Sequence, residues 1–202
     1  MSGDNNIDPR INDANGSAPR AADRILDVAR DLFYRNGIRA IGVDEIVRKA
    51  GVTKPSLYRS FSSKDELAAS YLRVYDKEFW ERFDAAAARH PGDPRAQIRA
   101  FFTRVGKRAA KPGYRGCGMT NAAIEYPEKK HPARLVSEEN KHELRRRLRA
   151  MAAEMGAKQP DMLGDGLLLL IEGAYISGQL FSPDGPAATL ADNADRLIEA
   201  SL

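Results

Sequence analysis

The sequence predicts an all-α protein in which an N-terminal three-helix unit is joined by one long helix to a larger helical domain. Three observations carry the prediction. Apolar residues recur every three or four positions through most of the chain beyond residue 20. Helix stops and starts punctuate that pattern: Gly37 and Gly51 as left-handed stops, Thr53, Ser63 and Asp93 as N-caps, Pro55 and Pro94 in first turns. A single stripe of Leu67, Tyr71, Val74/Tyr75, Phe79 and Phe83 then runs from about Lys64 to Arg89. A helix of ~26 residues spans ~39 Å, enough to leave one small domain and enter a second.

The first helix is expected over Ala21 to Asn36, with Ile25, Val28, Ala29, Leu32 and Phe33 facing the core. In the next, Val43, Ile46, Val47 and Ala50 repeat at helical spacing before Gly51. The third is capped by Thr53 and buries Leu57 and Phe61, which leaves Lys54, Ser56, Tyr58, Arg59 and Ser60 outward. Two short helices around a tight turn, the second with a polar outer face, make a helix-turn-helix, and that face suits DNA. Lys54 can donate to guanine O6/N7, Ser56 to several base edges, and Tyr58 and Arg59 to phosphate or base. Ser63-Lys64-Asp65-Glu66 reads as a capping box. Lys64 and the free N–H groups of that helix start can hold one phosphate between them. Charge agrees: Arg20 to Lys64 holds ten Lys/Arg against five Asp/Glu, a net +5, whereas the whole chain is +4 and the remainder therefore −1. The positive charge sits around the motif, as in nucleic-acid binders.

The run GIRAIGVDEIVRKAGVTKPSLYRSFSSKDEL resembles the DNA-binding domain of the TetR (tetracycline-repressor-like) family over roughly residues 21–72. YRGCGMTNAAIEYPEKKHPAR is similar to a segment of one subgroup of that family. The resemblance implies an all-helical homodimer whose N-terminal domain binds a palindromic double-stranded operator. It also implies a C-terminal domain that binds a small-molecule effector and releases the DNA, which is the action of a repressor. Positions matching Thr53, Lys54, Pro55, Ser56 and Arg59 are implied at bases, and those matching Tyr58 and Lys64 at phosphates; Arg48 completes the candidate contacts. Many members start the second helix with Ser or Thr where this chain has Gly42 and Val43. The hydroxyl contact to phosphate is therefore not expected here, and Gly42 serves as N-cap.

At 43% hydrophobic and 30% charged, the 202 residues can bury a core. A lone cysteine excludes an internal disulfide and fits a reducing cytoplasm. Residues 1–19 are rich in Asn, Asp, Gly and Pro, lack a signal-peptide layout, and are expected to be a disordered tail. No apolar run approaches the ~18 residues of a membrane span. The expected division is a tail (1–19), a DNA-binding domain (20–66) and a ligand-binding and dimerisation domain (67–202).

Beyond the long helix, His90-Pro91-Gly92-Asp93-Pro94 turns the chain into a helix carrying Ile98, Phe101, Phe102, Val105 and Ala109. The irregular Tyr114 to Tyr126 stretch mixes small, apolar and polar residues, as a ligand pocket does. A moderately apolar or aromatic effector is expected against Phe79, Phe83, Phe101, Phe102, Cys117, Met119, Ile124 and Tyr175, with Asn121 and Glu125 as polar anchors. Cys117 reads as a packing residue before a sensor thiol. Arg145, Arg146, Arg147 and Arg149 follow Glu138, Glu139 and Glu143 at pairing distance, so a salt-bridged face is expected rather than a second nucleic-acid site. His131 and His142 have no metal-ligand spacing, and neither metal nor cofactor is expected. The stretch Asp161 to Phe181 is apolar nearly all round, so one side must meet something beyond its own core. With the last helix it predicts a homodimer through about 161–201. An enzyme would need a nucleophile elbow, phosphate loop or metal motif, and none is found; a nucleoid-type DNA packer would need a diffuse basic surface.

Overall fold

The computed structural model describes residues 20–181 and 184–202; the expected tail at 1–19 lies outside them. Among the described residues the elements are α1 (Ala21–Asn36), α2 (Val43–Ala50), α3 (Lys54–Ser60), α4 (Lys64–Ala87), α5 (Pro94–Ala109), α6 (Gly118–Glu125), α7 (Pro132–Glu154), α8 (Pro160–Leu180) and α9 (Leu190–Ser201). A short 3-10 turn, Pro186–Thr189, precedes α9.

Local chemistry sets the boundaries. Gly51 ends α2 at φ 63°, ψ 39°, the left-handed region that glycine enters at no steric cost. Thr53 caps α3 by accepting from the Ser56 N–H at 3.4 Å, with Pro55 in the first turn. Gly42 stands at the N-cap of α2 without a side-chain bond. Half of the expected capping box forms at α4: the Ser63 hydroxyl accepts from the Glu66 N–H at 3.1 Å. The other half does not, because the Glu66 carboxylate is taken by Arg73 at 3.2 Å. Phe61 lies just past α3 in extended backbone, yet remains buried beside Leu57. α4 ends two residues sooner than the periodicity suggests, at Ala87, where the chain turns toward the Asp93 cap of α5.

The helices α1, α2 and α3 pack on one another, and α1 joins them to α4. The C-terminal half is built on α7 and α8, the most extensive helix pair. Gly164 lets that pair close, since a Cβ there would stand 2.7 Å from the Arg149 backbone. One continuous buried cluster runs from Ile25 to Ile198 through α4. At ~1.5 Å per residue the 24 residues of α4 span ~36 Å, so both halves share one lever.

The arginine run on α7 is a salt-bridged face. Arg146 and Arg147 grip Glu143 at 2.7 Å, and hydrogen bonds from these two guanidiniums hold that carboxyl well below the usual carboxylate range. Arg145 and Arg149 pair instead with Asp165 of α8, and Arg149 also with Asp161. Glu138 takes Arg134. No described helix is long and apolar enough to cross a membrane.

Candidate nucleic-acid interface

Helix α3 is anchored by Leu57, which has no exposed surface. With that residue inward, Lys54, Pro55, Tyr58 and Arg59 are exposed and Ser56 is half-buried on the outer side. The outer face is already ordered. Thr53 Oγ1 lies 3.1 Å from Ser56 Oγ, and Arg59 Nη2 donates to that same hydroxyl at 2.9 Å. Lys54 Nζ pairs with Asp44 of α2 at 2.7 Å, and this bond raises the ammonium above its ordinary value. Both groups are solvent-exposed, so a base edge or phosphate can displace Asp44 at little cost. Arg48 is exposed near the end of α2.

Lys64, at the start of α4, points to the α1–α2 loop, where its ammonium donates to the Arg39 carbonyl at 3.3 Å. Burial lowers its pKa, against the charges of Asp65 and Glu125, which raise it. The Glu125 carboxylate accepts from the Arg39 N–H at 2.8 Å and fills the space beside Gly37, where φ is +90°. The Arg39 guanidinium lies 5.0 Å over the Tyr126 ring, whose other partner is His131, stacked at 3.7 Å. His131 in turn reaches Asp65 at 3.4 Å. The α6–α7 connection therefore grips the N-terminal helices at two places, the α1–α2 loop and the first turn of α4. Sequence reasoning missed this contact, because its members sit in irregular segments far apart in the chain.

The expected effector residues are only partly brought together. Phe79, Phe83 and Phe101 interlock, with ring centroids 4.8 Å (Phe83–Phe101) and 5.6 Å (Phe79–Phe101) apart, and Phe102 is fully buried behind them. These rings fill the α4–α5 seam with one another. Met119, Cys117 and Tyr175 are buried as well. Three expected members fall elsewhere. Ile124 is 72% exposed, Glu125 is turned to the α1–α2 loop, and Asn121 donates to the Arg115 carbonyl at 2.6 Å. The reason is helical phase: α6 is eight residues long and buries its Gly118, Met119 and Ala122 side. Beside it lies a charged pair that the sequence reading passed over. Lys141 donates to Glu172 at 2.6 Å, Thr120 donates to the other Glu172 oxygen at 2.7 Å, and Cys117 Sγ lies 3.5 Å from the Lys141 ammonium. The available signal was Glu172 itself, one carboxylate inside the apolar run LLLLIEGAYI. No cluster of His, Cys, Asp and Glu among the described residues has the arrangement of a metal site.

A helix-turn-helix with Lys, Tyr and Arg turned outward, carried on an all-helical body, is the build of a DNA-binding transcriptional regulator. The family model for bacterial regulatory proteins of the tetR family matches residues 25–71. The crystal structure of SCO4454, a TetR-family transcriptional regulator from Streptomyces coelicolor, superposes with a TM-score of 0.85. Its sequence is 30% identical, and the match covers 90% of this chain and 96% of that one. Among curated relatives, the transcriptional regulator AcrR of Shigella flexneri is 31% identical over 88 residues, 44% of this chain and 41% of its own. The transcriptional repressor KstR2 of Rhodococcus jostii is 32% identical over 95 residues, 47% of this chain and 46% of its own. The matched stretches thus span less than half the length of these curated relatives. The chain belongs to the TetR family of transcriptional regulators.

Proposed function

We propose that this protein is a repressor that binds a palindromic operator as a homodimer and is released by a small-molecule effector bound in its C-terminal half. The observation that carries the reading is the union of two features on one lever. The recognition face of α3 and the phosphate-ready Lys64 sit at the start of α4, and the aromatic seam with α5 sits near its other end. KstR2, one of the similar proteins, is a repressor. Effector binding against Phe79, Phe83, Phe101 or Phe102 would move α4 and with it the spacing of the two recognition helices. The effector must favour the released state, since only differential affinity shifts the equilibrium.

The direct test is a titration of the protein against the DNA upstream of its own gene and against random DNA at physiological salt. A preference of at least ~10³-fold for one palindromic site is expected, the low end for specific regulators. Equal affinity for both DNAs would favour a non-specific packer. Lys64→Ala is expected to weaken binding to every sequence and to lower the salt-dependence slope by about 0.9 per subunit. An unchanged slope with altered base preference would remove Lys64 from the phosphate contacts. Replacing Lys54, Ser56 or Arg59 should instead relax preference at one or two positions per half-site, each worth roughly 1–3 kcal/mol. Selection from a random DNA pool reads this directly, and an unchanged selected site would place base reading elsewhere.

A further inference from the structure

Positive charge is left uncovered along one edge of α5. From Pro94 to Ile124 the chain holds seven Lys/Arg and no Asp/Glu. Some of this charge is met within the fold: Arg95 and Arg99 pair with Asp192, Asp195 and Glu199 of α9. Arg108 lies over the Tyr34 and Tyr75 rings and is hydrogen-bonded to Tyr34. The rest, Arg104, Lys107, Lys111 and Arg115, are exposed, and none forms an ion pair with a described residue. Glu78, on the neighbouring helix α4, is held by Arg30 and by Arg82, whose Nη2 is buried without an acceptor. The α7 run shows the contrast: Arg134, Arg145, Arg146, Arg147 and Arg149 each meet a carboxylate. Uncompensated like charges repel one another and do not hold the fold together, whereas they raise the local concentration of an outside polyanion.

These cations form a line. Arg104, Lys107 and Lys111 are spaced three and four apart, so they stack along one side of α5 and the turn that follows it. Arg89, exposed just past the end of α4 and also without an ion pair, lines the same cleft as Arg104 and Lys107. At the other end the Arg115 N–H donates to Tyr34 Oη of α1 at 3.2 Å, which fastens the line to the N-terminal helices. Tyr34 stacks with Tyr75, eleven residues along α4 from Lys64, so the line begins ~16 Å from that phosphate anchor at 1.5 Å per residue. The line also faces away from the proposed partner subunit. Ala109, on the opposite side of α5, packs on α8 so closely that a Cβ on Gly178 would stand 2.7 Å from its methyl group. Gly178 in turn lies across α8 from the exposed Ile176. Pairing through the exposed side of α8 therefore leaves the line on the outer flank of each subunit.

We infer that this line binds the phosphate backbone of the DNA flanking the operator, which bends toward the side of each subunit. The inference rests on the operator and homodimer reading above and extends the contact beyond the recognition helices. A straight duplex seated on α3 and Lys64 stays short of the line. A duplex bent toward the protein reaches Arg115 first, then Lys111, Lys107 and Arg104. DNA is favoured over other polyanions because the half-site already tethers it. Its effective concentration at the line is in the millimolar range before any contact forms. A row of cations can neutralise successive phosphates without touching a base. The cost of bending depends on which base steps lie in the flanks, so the flanks become part of site preference although no side chain reads them.

The test compares two duplexes on the full chain. One is the operator selected from a random pool, cut at the edges of its half-sites. The other carries about 20 further base pairs of arbitrary sequence on each side, ~68 Å at 3.4 Å per step. At physiological salt the flanked duplex is expected to bind about tenfold more tightly, with a salt dependence steeper by about 0.9 for each phosphate reached. A circular-permutation gel series should migrate slowest with the operator at the fragment's centre, the mark of a bend. Lys107→Glu/Lys111→Glu should lose both the gain and the bend while binding the cut operator as the wild type does. Lys107→Gln/Lys111→Gln, checked by thermal melting, takes its place should the charge reversal fail to fold. A flanked duplex that binds no better than the cut one, or a gain that the folded variant keeps, would overturn the inference. Capture of the wild-type chain but not the variant on phosphatidylglycerol vesicles, with no gain from the flanks, would give the line to a membrane surface instead. Failure of the operator reading looks different: the cut operator would bind no better than a random duplex of its own length, and both claims would fall.

Discussion

Lys141→Met is expected to destabilise the protein by about 2–4 kcal/mol, a discount on the 3–5 kcal/mol typical of breaking a fully buried ion pair. The discount is needed because the Lys141 and Glu172 side chains keep 22% and 27% of their surface exposed. The pair is 2.6 Å long and sits where α7 and α8 meet α6, with the Lys141 ammonium also 5.1 Å over the Tyr175 ring. Removing the ammonium leaves the Glu172 carboxylate among Tyr175, Cys117 and the apolar face of α8, with the Thr120 hydroxyl as its remaining donor. The double variant Lys141→Met/Glu172→Met should recover most of the loss, because it removes the stranded charge along with its partner. Urea denaturation of the two single variants and the double variant measures this directly. Additive losses would show that the two side chains contribute separately. The pH dependence has a definite sign. Burial opposes the Lys141 charge, but Cys117 and Glu172 outweigh it and the net shift is upward from 10.5. A raised lysine stabilises fully below its unfolded value, so wild-type stability should hold through neutral pH. The contribution is lost as pH climbs past about 10.5 and through the raised folded value.

How much of this was legible in the sequence depended on where each interaction lies along the chain. α1, α2 and α3 were readable residue by residue, because periodicity, Gly51 and the Thr53 cap all act within a few positions. The exposed face of α3 followed once Leu57 was assigned inward. The C-terminal half was readable as helices and much less as a site. Composition points Ile124 and Glu125 toward a cavity, and only the phase of α6 decides their direction. The Glu125–Arg39 bond joins residues 86 apart, Arg30–Glu78 joins residues 48 apart, and Lys141–Glu172 joins residues 31 apart. No local rule reaches across such separations. Arg82 shows the same limit: in sequence it is one more charge on an amphipathic helix, and its orphaned Nη2 exists only once α4 and α5 are packed.

The largest functional effect is expected from the outer face of α8. Met162, Leu169, Ile176 and Leu180 are 71%, 73%, 51% and 71% exposed in the single chain. They recur at intervals of seven, seven and four, a stripe along one side of the helix. Gly173 lies in the same stripe with nothing within 4 Å of where its Cβ would stand, so another helix can approach closely there. On α9, Asp192, Asn193, Arg196 and Glu199 form a polar outer side, and Arg95 and Arg99 of α5 hold its acidic residues. We place the apolar centre of the proposed dimer on α8, with α9 as its polar margin. Leu169→Glu/Ile176→Glu would set carboxylates against carboxylates across a two-fold axis and should give a monomer. Exposed positions carry little of the monomer's own stability, typically within ±0.5 kcal/mol. Each recognition helix would then bind its half-site alone, without the millimolar-range effective concentration that linkage supplies, and operator affinity should fall by about 10²–10⁴. Sedimentation velocity and operator titration on the same sample read the two consequences together. A double variant that remains dimeric would move the interface off this face, and a monomer that still bound the operator at wild-type affinity would sever dimerisation from DNA recognition.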